Sequence, residues 1–117
     1  MVAKELAKFF GVLAHPLRVQ IVEELKNKEY TVSELQERLD TPQALLSQHL
    51  GVLRGNRMVV ERRDGRHVYY HLRNPDVASV VLQCIAFVEP DLEKSDDIAS
   101  AIKLAKAAWK KDTDSID

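Results

Sequence analysis

A helix pattern is followed directly by a strand pattern in residues 41–72, which read TPQALLSQHLGVLRGNRMVVERRDGRHVYYHL. Thr41 is a residue type that caps helix N-termini, and Pro42 is tolerated in a first helical turn. Leucines then recur at the spacing of one helix face: Leu45, Leu46, Leu50 and Leu53. These residues predict a helix that begins after a Thr41 cap, and Asn56 is expected to close it in the left-handed conformation.

Two β-prone runs lie after this helix, at residues 58–63 and 66–72. Asp64-Gly65 joins them, and a dipeptide of this type between two such runs is a strong signal for a two-residue hairpin turn. The sequence therefore predicts a β-hairpin with Asp64 and Gly65 as its turn. Because arginines flank the turn, the hairpin is also basic.

Three further helices are predicted before this segment. The apolar residues of 2–13 recur at helical spacing, and Pro16 opens a second helix that runs to about Lys26. Thr31 or Ser33 can cap a short third helix, because both residue types are preferred at helix N-termini.

Two helices are predicted after the hairpin. A fifth helix starts at Asn74 or Pro75, and Pro90 interrupts it before a last helix from Ser95 to Trp109. The fifth helix has apolar residues on one face: Val77, Val80, Val81, Cys84, Ile85 and Val88. Because a core this small cannot cover the apolar stripes of both terminal helices, we expect a second copy to cover them. The expected dimer contacts are Phe9, Phe10, Val81, Cys84 and Val88.

Composition is typical of one small helical domain. The chain has 117 residues, of which 45% are hydrophobic and 30% are charged. No apolar run approaches the roughly 18 residues that a membrane span needs, and the start lacks the layout of a secretion signal. We therefore expect a cytoplasmic protein with no membrane partner. Cys84 is the single cysteine, which excludes a disulfide within one chain.

Arginines are concentrated in the middle of the chain. Seven of the eight lie between residues 38 and 73, against three acidic residues in the same stretch. A solvated charged face is the simple explanation, but arginine is also the side chain suited to phosphates and guanines. Two helices joined by a tight turn and followed by a basic hairpin place one helix in a major groove. The sequence therefore predicts a mainly α fold with a β-hairpin wing, a winged helix-turn-helix that binds double-stranded DNA.

Two groups of residues are the predicted DNA contacts. Base edges are expected to meet polar or small side chains near the start of the fourth helix: Gln43, Ala44, Ser47 and Gln48. Arginines of the wing are expected to reach a minor groove or phosphates: Arg62, Arg63 and Arg66. Arg54 and Arg57 are expected at phosphates, the alternative being that they only compensate the helix dipole.

Three motifs resemble those of the ArsR/SmtB family of bacterial repressors. Residues 14–22 (AHPLRVQIV) resemble the opening of its second helix, 46–54 (LSQHLGVLR) its recognition helix, and 58–72 its wing. The resemblance implies a homodimer, joined through its first and fifth helices, that blocks a promoter until an effector releases it. A twofold dimer requires an inverted-repeat operator. Residues 1–94 are expected to form the DNA-binding and dimerisation domain. Residues 95–117 are expected to form a helical extension with a disordered tail.

The same resemblance leaves the role of His49 open and argues against a metal site. His49 resembles a family position that touches DNA, yet a histidine beside a buried leucine is as often structural. Many members of the family sense metals, but Thr31 and Ser33 stand where its thiolates would lie. At the family's fifth-helix positions stand Asp76, Ala78 and Glu89, without the histidines. We therefore expect no metal and no cofactor.

Two roles are predicted for Cys84, and two other classes of protein are alternatives to a DNA-binding repressor. Cys84 is by default a small buried hydrophobic residue, the alternative being a redox-sensitive thiol that bridges two copies. An enzyme is not expected, because the chain has no glycine-rich phosphate loop, Gly-x-Ser-x-Gly motif or metal constellation. A winged helix used only for protein contact remains the alternative to a transcriptional repressor.

Overall fold

The computed structural model describes residues 2–88, in which five helices and two strands follow one another. Four helices come first: α1 (Val2–Val12), α2 (Pro16–Glu24), α3 (Val32–Leu39) and α4 (Gln43–Gly55). Strands β1 (Val59–Asp64) and β2 (His67–Leu72) form an antiparallel hairpin, and α5 (Asp76–Val88) follows. The predicted mainly α order with one hairpin is confirmed as far as residue 88. The predicted break at Pro90, the boundary at residue 94 and the last helix lie outside the described residues.

The chain divides into two compact units. The first ends at Pro75, and the second begins with α5. In the first unit, apolar side chains of α2, α3, α4 and β1 form the core. Seven of them are almost completely inaccessible: Ile21, Val22, Leu35, Leu46, Leu50, Leu53 and Val59. Burying a side chain of this size contributes about 1.5–3 kcal/mol, so these residues hold the helix-turn-helix and the hairpin base together.

Capping residues fix where α2 and α3 begin. His15 precedes α2, and its Nδ1 accepts a hydrogen bond from the Leu17 backbone N–H at 3.2 Å. Thr31 forms a capping box with Glu34: its Oγ1 accepts from the Glu34 N–H at 3.2 Å, and Glu34 Oε1 accepts from the Thr31 N–H at 3.0 Å. Of the two predicted caps for the third helix, Thr31 is therefore the correct one.

The predicted Thr41 cap of α4 is wrong. The helix begins at Gln43 after Pro42, which supplies no side-chain cap. Thr41 Oγ1 instead donates to the Leu39 carbonyl at 2.9 Å, and Asp40 adopts a left-handed conformation with φ 48°. The Thr41 hydroxyl therefore bonds to the end of α3, and no side chain caps the start of α4.

Two details of α4 also differ from the sequence prediction. Leu45, predicted on the buried face, is 41% exposed, because the buried face follows Leu46, Leu50 and Leu53. At the other end, Asn56 has φ −100°, and Arg57 instead takes the left-handed conformation with φ 60°. The Asn56 backbone N–H still donates to the Val52 carbonyl at 3.2 Å, and its Nδ2 donates to the same oxygen at 2.8 Å.

The hairpin turn lies one residue later than predicted. Asp64 pairs with His67, so the two-residue loop consists of Gly65 and Arg66. Gly65 has φ 62°, which a glycine at the first loop position of a hairpin adopts without steric cost. Arg66 therefore stands at the tip of the wing, the name we use for residues 59–72.

An isolated antiparallel β-bridge joins the wing to the segment between α2 and α3. Tyr30, between α2 and α3, pairs with Tyr70 of β2: its N–H donates to the Tyr70 carbonyl at 3.1 Å, and its carbonyl accepts from the Tyr70 N–H at 2.8 Å. The sequence prediction missed this bridge, because a single paired residue leaves no alternating pattern.

Helix α5 has a narrower buried face than predicted. Ala78, Val81 and Ile85 are buried at helical spacing. Cys84, whose default interpretation was a buried residue, is exposed in the single chain, and Val80 and Val88 are 41% and 71% exposed. Neither α5 nor any other helix between residues 2 and 88 has the length and hydropathy to span a membrane.

Candidate nucleic-acid interface

Helix α4 presents one polar face to solvent. The four predicted base-reading residues are all exposed and lie together on its first half: Gln43, Ala44, Ser47 and Gln48. On the opposite side, Leu46, Leu50 and Leu53 lie in the core. The core therefore fixes the rotation of α4 so that two glutamines, a serine and an alanine face outward at the helix start.

His49 lies on the core side of α4 and is 5% exposed. Its Nδ1 accepts a hydrogen bond from Arg18 Nε at 3.2 Å, and its ring centroid lies 4.2 Å from that of His15. Arg18 also donates from Nη1 to the Val12 carbonyl at 3.0 Å. Of the two roles left open by the sequence, the geometry supports the structural one, since His49 links α4 to residues before and within α2.

Burial disfavours the protonated form of both histidines of this group. Desolvation lowers the pKa of His49, and the neighbouring His15 and Arg18 lower it further. Desolvation also lowers the pKa of His15, followed by the charge of Arg18. A neutral His49 can accept from Arg18, whereas a protonated imidazole has no acceptor atom.

Arg63 and Arg66 are the most accessible cations of the wing. The Arg63 side chain is 80% exposed, and its nearest acidic partner is Glu61 at 3.9 Å. Arg66 is exposed at the hairpin tip and forms no ion pair with any residue between 2 and 88. Both guanidinium groups are therefore accessible from solvent, and their contact with phosphates stays a prediction.

Arg54 and Arg62 are held by acidic residues of the protein. Arg54, near the end of α4, pairs with Glu61 of β1. Arg62 Nε donates to both carboxylate oxygens of Glu29, at 3.1 and 3.0 Å. The sequence prediction missed both pairings: Glu61 lies seven residues after Arg54, in the next element, and Glu29 lies 33 residues before Arg62.

Arg57 lies at the turn between α4 and β1. It is exposed, and it lines a groove of about 410 Å³ together with Lys8 and Phe9 of α1. Its position after the last turn of α4 is compatible with the predicted phosphate contact and with compensation of the helix dipole.

Side chains that could ligate a metal ion are not grouped together in the part of the chain that the structure describes. Between residues 2 and 88, no group of three or more histidine, cysteine, aspartate or glutamate side chains is arranged to hold a metal ion. At the family's third-helix position, the Thr31 hydroxyl is already engaged in the capping box. Glu89, the third residue at the fifth-helix positions, lies outside the described residues.

Comparison with known proteins agrees with this geometry. A sequence profile described as "Bacterial regulatory protein, arsR family" matches residues 15–60. The HTH-type transcriptional regulator KmtR of Mycobacterium tuberculosis is 34% identical over 111 residues, which cover 92% of this chain and 85% of KmtR.

Solved structures show the same similarity. The transcriptional repressor BigR from Xylella fastidiosa matches with a TM-score of 0.63 and 33% identity, over 80% of this chain and 91% of BigR. HlyU from Vibrio vulnificus matches with a TM-score of 0.65 and 30% identity, over 73% of this chain and 88% of HlyU.

Proposed function

Because this chain belongs to the arsR family of bacterial regulatory proteins, we propose that it is a winged helix-turn-helix transcriptional repressor that binds operator DNA sequence-specifically. The observation that carries this proposal is the polar, solvent-facing first half of α4 beside an arginine-bearing wing. Its relatives are transcription regulators and not enzymes.

In this proposal α4 is the recognition helix. Gln43 and Gln48 each offer a paired donor and acceptor, which matches the major-groove edge of adenine. The Ser47 hydroxyl can bond a base or a phosphate, and the Ala44 methyl suits a thymine methyl.

The phosphate contacts come from the accessible arginines. Arg63 and Arg66 on the wing and Arg57 after α4 are exposed cations that can replace counterions at the DNA backbone. Such contacts fix the position of α4 along the duplex, whereas the base contacts select the sequence.

We propose that the protein acts as a homodimer on an inverted repeat. Helix α1 exposes Val2, Leu6 and Phe10, which recur every four residues and therefore lie on one face. Helix α5 separately exposes Phe87 and Val88, at 88% and 71%. A second copy covering these apolar faces would present two recognition helices to half-sites about 10 base pairs apart, or a multiple of that spacing. The place of action is then the cytoplasm, where bacterial operator DNA lies.

An effector that releases the DNA is part of the proposal. Cys84 is exposed in the single chain, which is compatible with either of its predicted roles at a dimer contact. A winged helix that binds only protein partners finds no support among the relatives, which are transcription regulators and repressors.

Selection from a random double-stranded DNA library tests the proposed function. Purified protein should enrich an inverted repeat, and the enriched site should bind with an affinity that falls as salt rises. The triple variant Gln43→Ala/Ser47→Ala/Gln48→Ala, whose changed residues are all exposed, should stay folded and enrich no motif. Failure of the unaltered protein to enrich any sequence would contradict the proposal.

A further inference from the structure

Ion pairs join both faces of the wing to the helices. Successive side chains of a strand point to opposite faces, so Glu61 and Arg62 lie on different sides of the hairpin. On one side Glu61 pairs with Arg54 of α4. On the other side Arg62 pairs with Glu29, which lies between α2 and α3. The two contacts tie the hairpin to two different parts of the helical unit.

The Arg62–Glu29 contact combines forked hydrogen bonds with an aromatic contact. Besides the two bonds from Nε, Arg62 Nη2 donates to Glu29 Oε1 at 2.5 Å. The guanidinium carbon also lies 4.6 Å from the ring centroid of Tyr69, its cross-strand partner. A fork of donors on a carboxylate combined with an aromatic face is an arrangement that lysine cannot reproduce.

Both ends of this contact are anchored. Glu29 directly precedes Tyr30, whose backbone is bonded in both directions to Tyr70 of β2. Arg62 lies in β1, two residues before the strand ends at Asp64. The hydrogen bond from Arg62 lowers the pKa of the Glu29 carboxyl, and the same bond raises the pKa of Arg62. The pair therefore stays charged at neutral pH and acts close to the wing tip.

We propose that Glu29 and Arg62 form a brace that fixes the position of the wing for DNA binding, with Glu29 as a positioning residue. Arg62 then acts inside the protein, and Arg63 and Arg66 make the phosphate contacts of the wing. This inference rests on the proposed function, because it assigns roles in DNA binding. A wing without its brace must be ordered when DNA binds, and that ordering reduces affinity.

Simple electrostatics predicts the opposite sign for a change at Glu29. Replacing Glu29 by glutamine removes a negative charge, which by itself strengthens binding to a polyanion. If Arg62 were a masked phosphate contact, its release would also make the salt dependence steeper. The brace predicts that Glu29→Gln binds DNA more weakly with an unchanged salt dependence. The direction of the change in affinity therefore distinguishes the two explanations.

Fluorescence anisotropy with the selected operator, measured over a range of salt, provides the test. Glu29→Gln should bind about three- to tenfold more weakly with an unchanged salt slope. Glu37→Gln on α3 is the matched control, because it removes the same charge from an exposed glutamate that forms no ion pair within residues 2–88, and it should not weaken binding.

Substitutions at Arg62 distinguish the effect of its forked hydrogen bonds from the effect of its positive charge. Arg62→Lys should weaken binding as much as Glu29→Gln, whereas Arg66→Ala should lower the salt slope by about one. The exchange Glu29→Arg/Arg62→Glu restores an ion pair, so it should recover part of the affinity lost in Arg62→Glu alone. Tighter binding or a steeper slope in Glu29→Gln, or unaltered binding in Arg62→Lys, would overturn the brace.

A measurement without DNA distinguishes failure of the brace from failure of the proposed function. In the free protein, the Arg62 Nε–H should give an NMR signal protected from solvent exchange, and Glu29→Gln but not Glu37→Gln should remove the protection. Absence of protection in the unaltered protein overturns the brace even if DNA binds. A protected signal in a protein that binds no DNA overturns the proposed function instead.

Discussion

Individual side chains determine what α4 offers to DNA and how firmly it is held. His49 and Gln48 are neighbours in the sequence, yet His49 is buried against Arg18 and His15 while Gln48 is exposed. The difference follows from a rotation of about 100° per residue along the helix. The proposed base-reading positions and the buried positions that attach the helix to the core are thus interleaved in one short segment.

The histidine pair should make the stability of the folded protein depend on pH. The pKa of His15 and of His49 is lowered in the folded protein from the ordinary 6.5, mainly by burial. Below that ordinary value the unfolded chain binds more protons than the folded one, so stability should fall as pH decreases through about 6.5 and below. Urea denaturation from about pH 8 to about pH 5.5 measures this effect.

One substitution at a buried histidine and one at an exposed histidine control this prediction. His49→Gln should show a shallower dependence on pH, whereas His67→Gln changes an exposed residue of the wing and should retain it. Equal stability across the pH range in the unaltered protein would refute the assignment.

Loss of a proposed base-reading side chain should change sequence preference more than overall affinity. Gln43→Ala should reduce discrimination at one base pair by about 1–3 kcal/mol, because the paired donor and acceptor are removed. Gln83→Ala, an exposed glutamine of α5, is the control. Competition binding with single-base operator variants measures the change, and an unaltered preference profile would remove Gln43 from the interface.

The helices of the first unit depend on local capping as well as on the core. In the Thr31–Glu34 box, Thr31 directly precedes α3 and Glu34 lies in its first turn. Thr31→Ala should lower the free energy of unfolding by about 1 kcal/mol, because one backbone N–H loses its acceptor.

Ser33 supplies a matched control for the Thr31 change. It is exposed within the first turn of α3, so Ser33→Ala should leave the unfolding midpoint in urea nearly unchanged. Equal losses in the two variants would mean that the capping box adds nothing to stability.

The spacing of apolar residues predicted which helices and strands form. It did not predict the residues at which they begin and end, for physical reasons. The leucine spacing of α4 identified a helix, but nothing local shows that the Thr41 hydroxyl bonds to Leu39 instead. The Asp64-Gly65 signal identified the turn, while pairing of Asp64 with His67 moved the loop by one residue. At the candidate site, exposure of Gln43 and Gln48 was predictable from the helix face. The ion pairs of Arg54 and Arg62 were not predictable in this way, because each joins two different elements: Glu61 lies seven residues after Arg54, across the turn from α4 to β1, and Glu29 lies 33 residues before Arg62.

For the molecule as a whole, the apolar face of α1 is the main reason to expect a dimer. Phe10→Asp places a charge on that face beside Leu6, so it should convert the dimer to a monomer at micromolar concentration. Ala3→Asp adds the same charge at an exposed position of α1 and should leave the dimer intact. Sedimentation velocity measures both, and a monomeric unaltered protein would contradict the proposal.

The bridge between Tyr30 and Tyr70 also has a consequence for the order of folding. Its two residues are about forty positions apart, so forming it closes a long loop, whereas the hairpin closes through two residues. The hairpin can form on its own within microseconds, but the bridge must await collapse of α2, α3 and α4. The amide protons of Tyr30 and Tyr70 should therefore gain protection in the last kinetic phase of refolding, together with the core rather than with the hairpin tip.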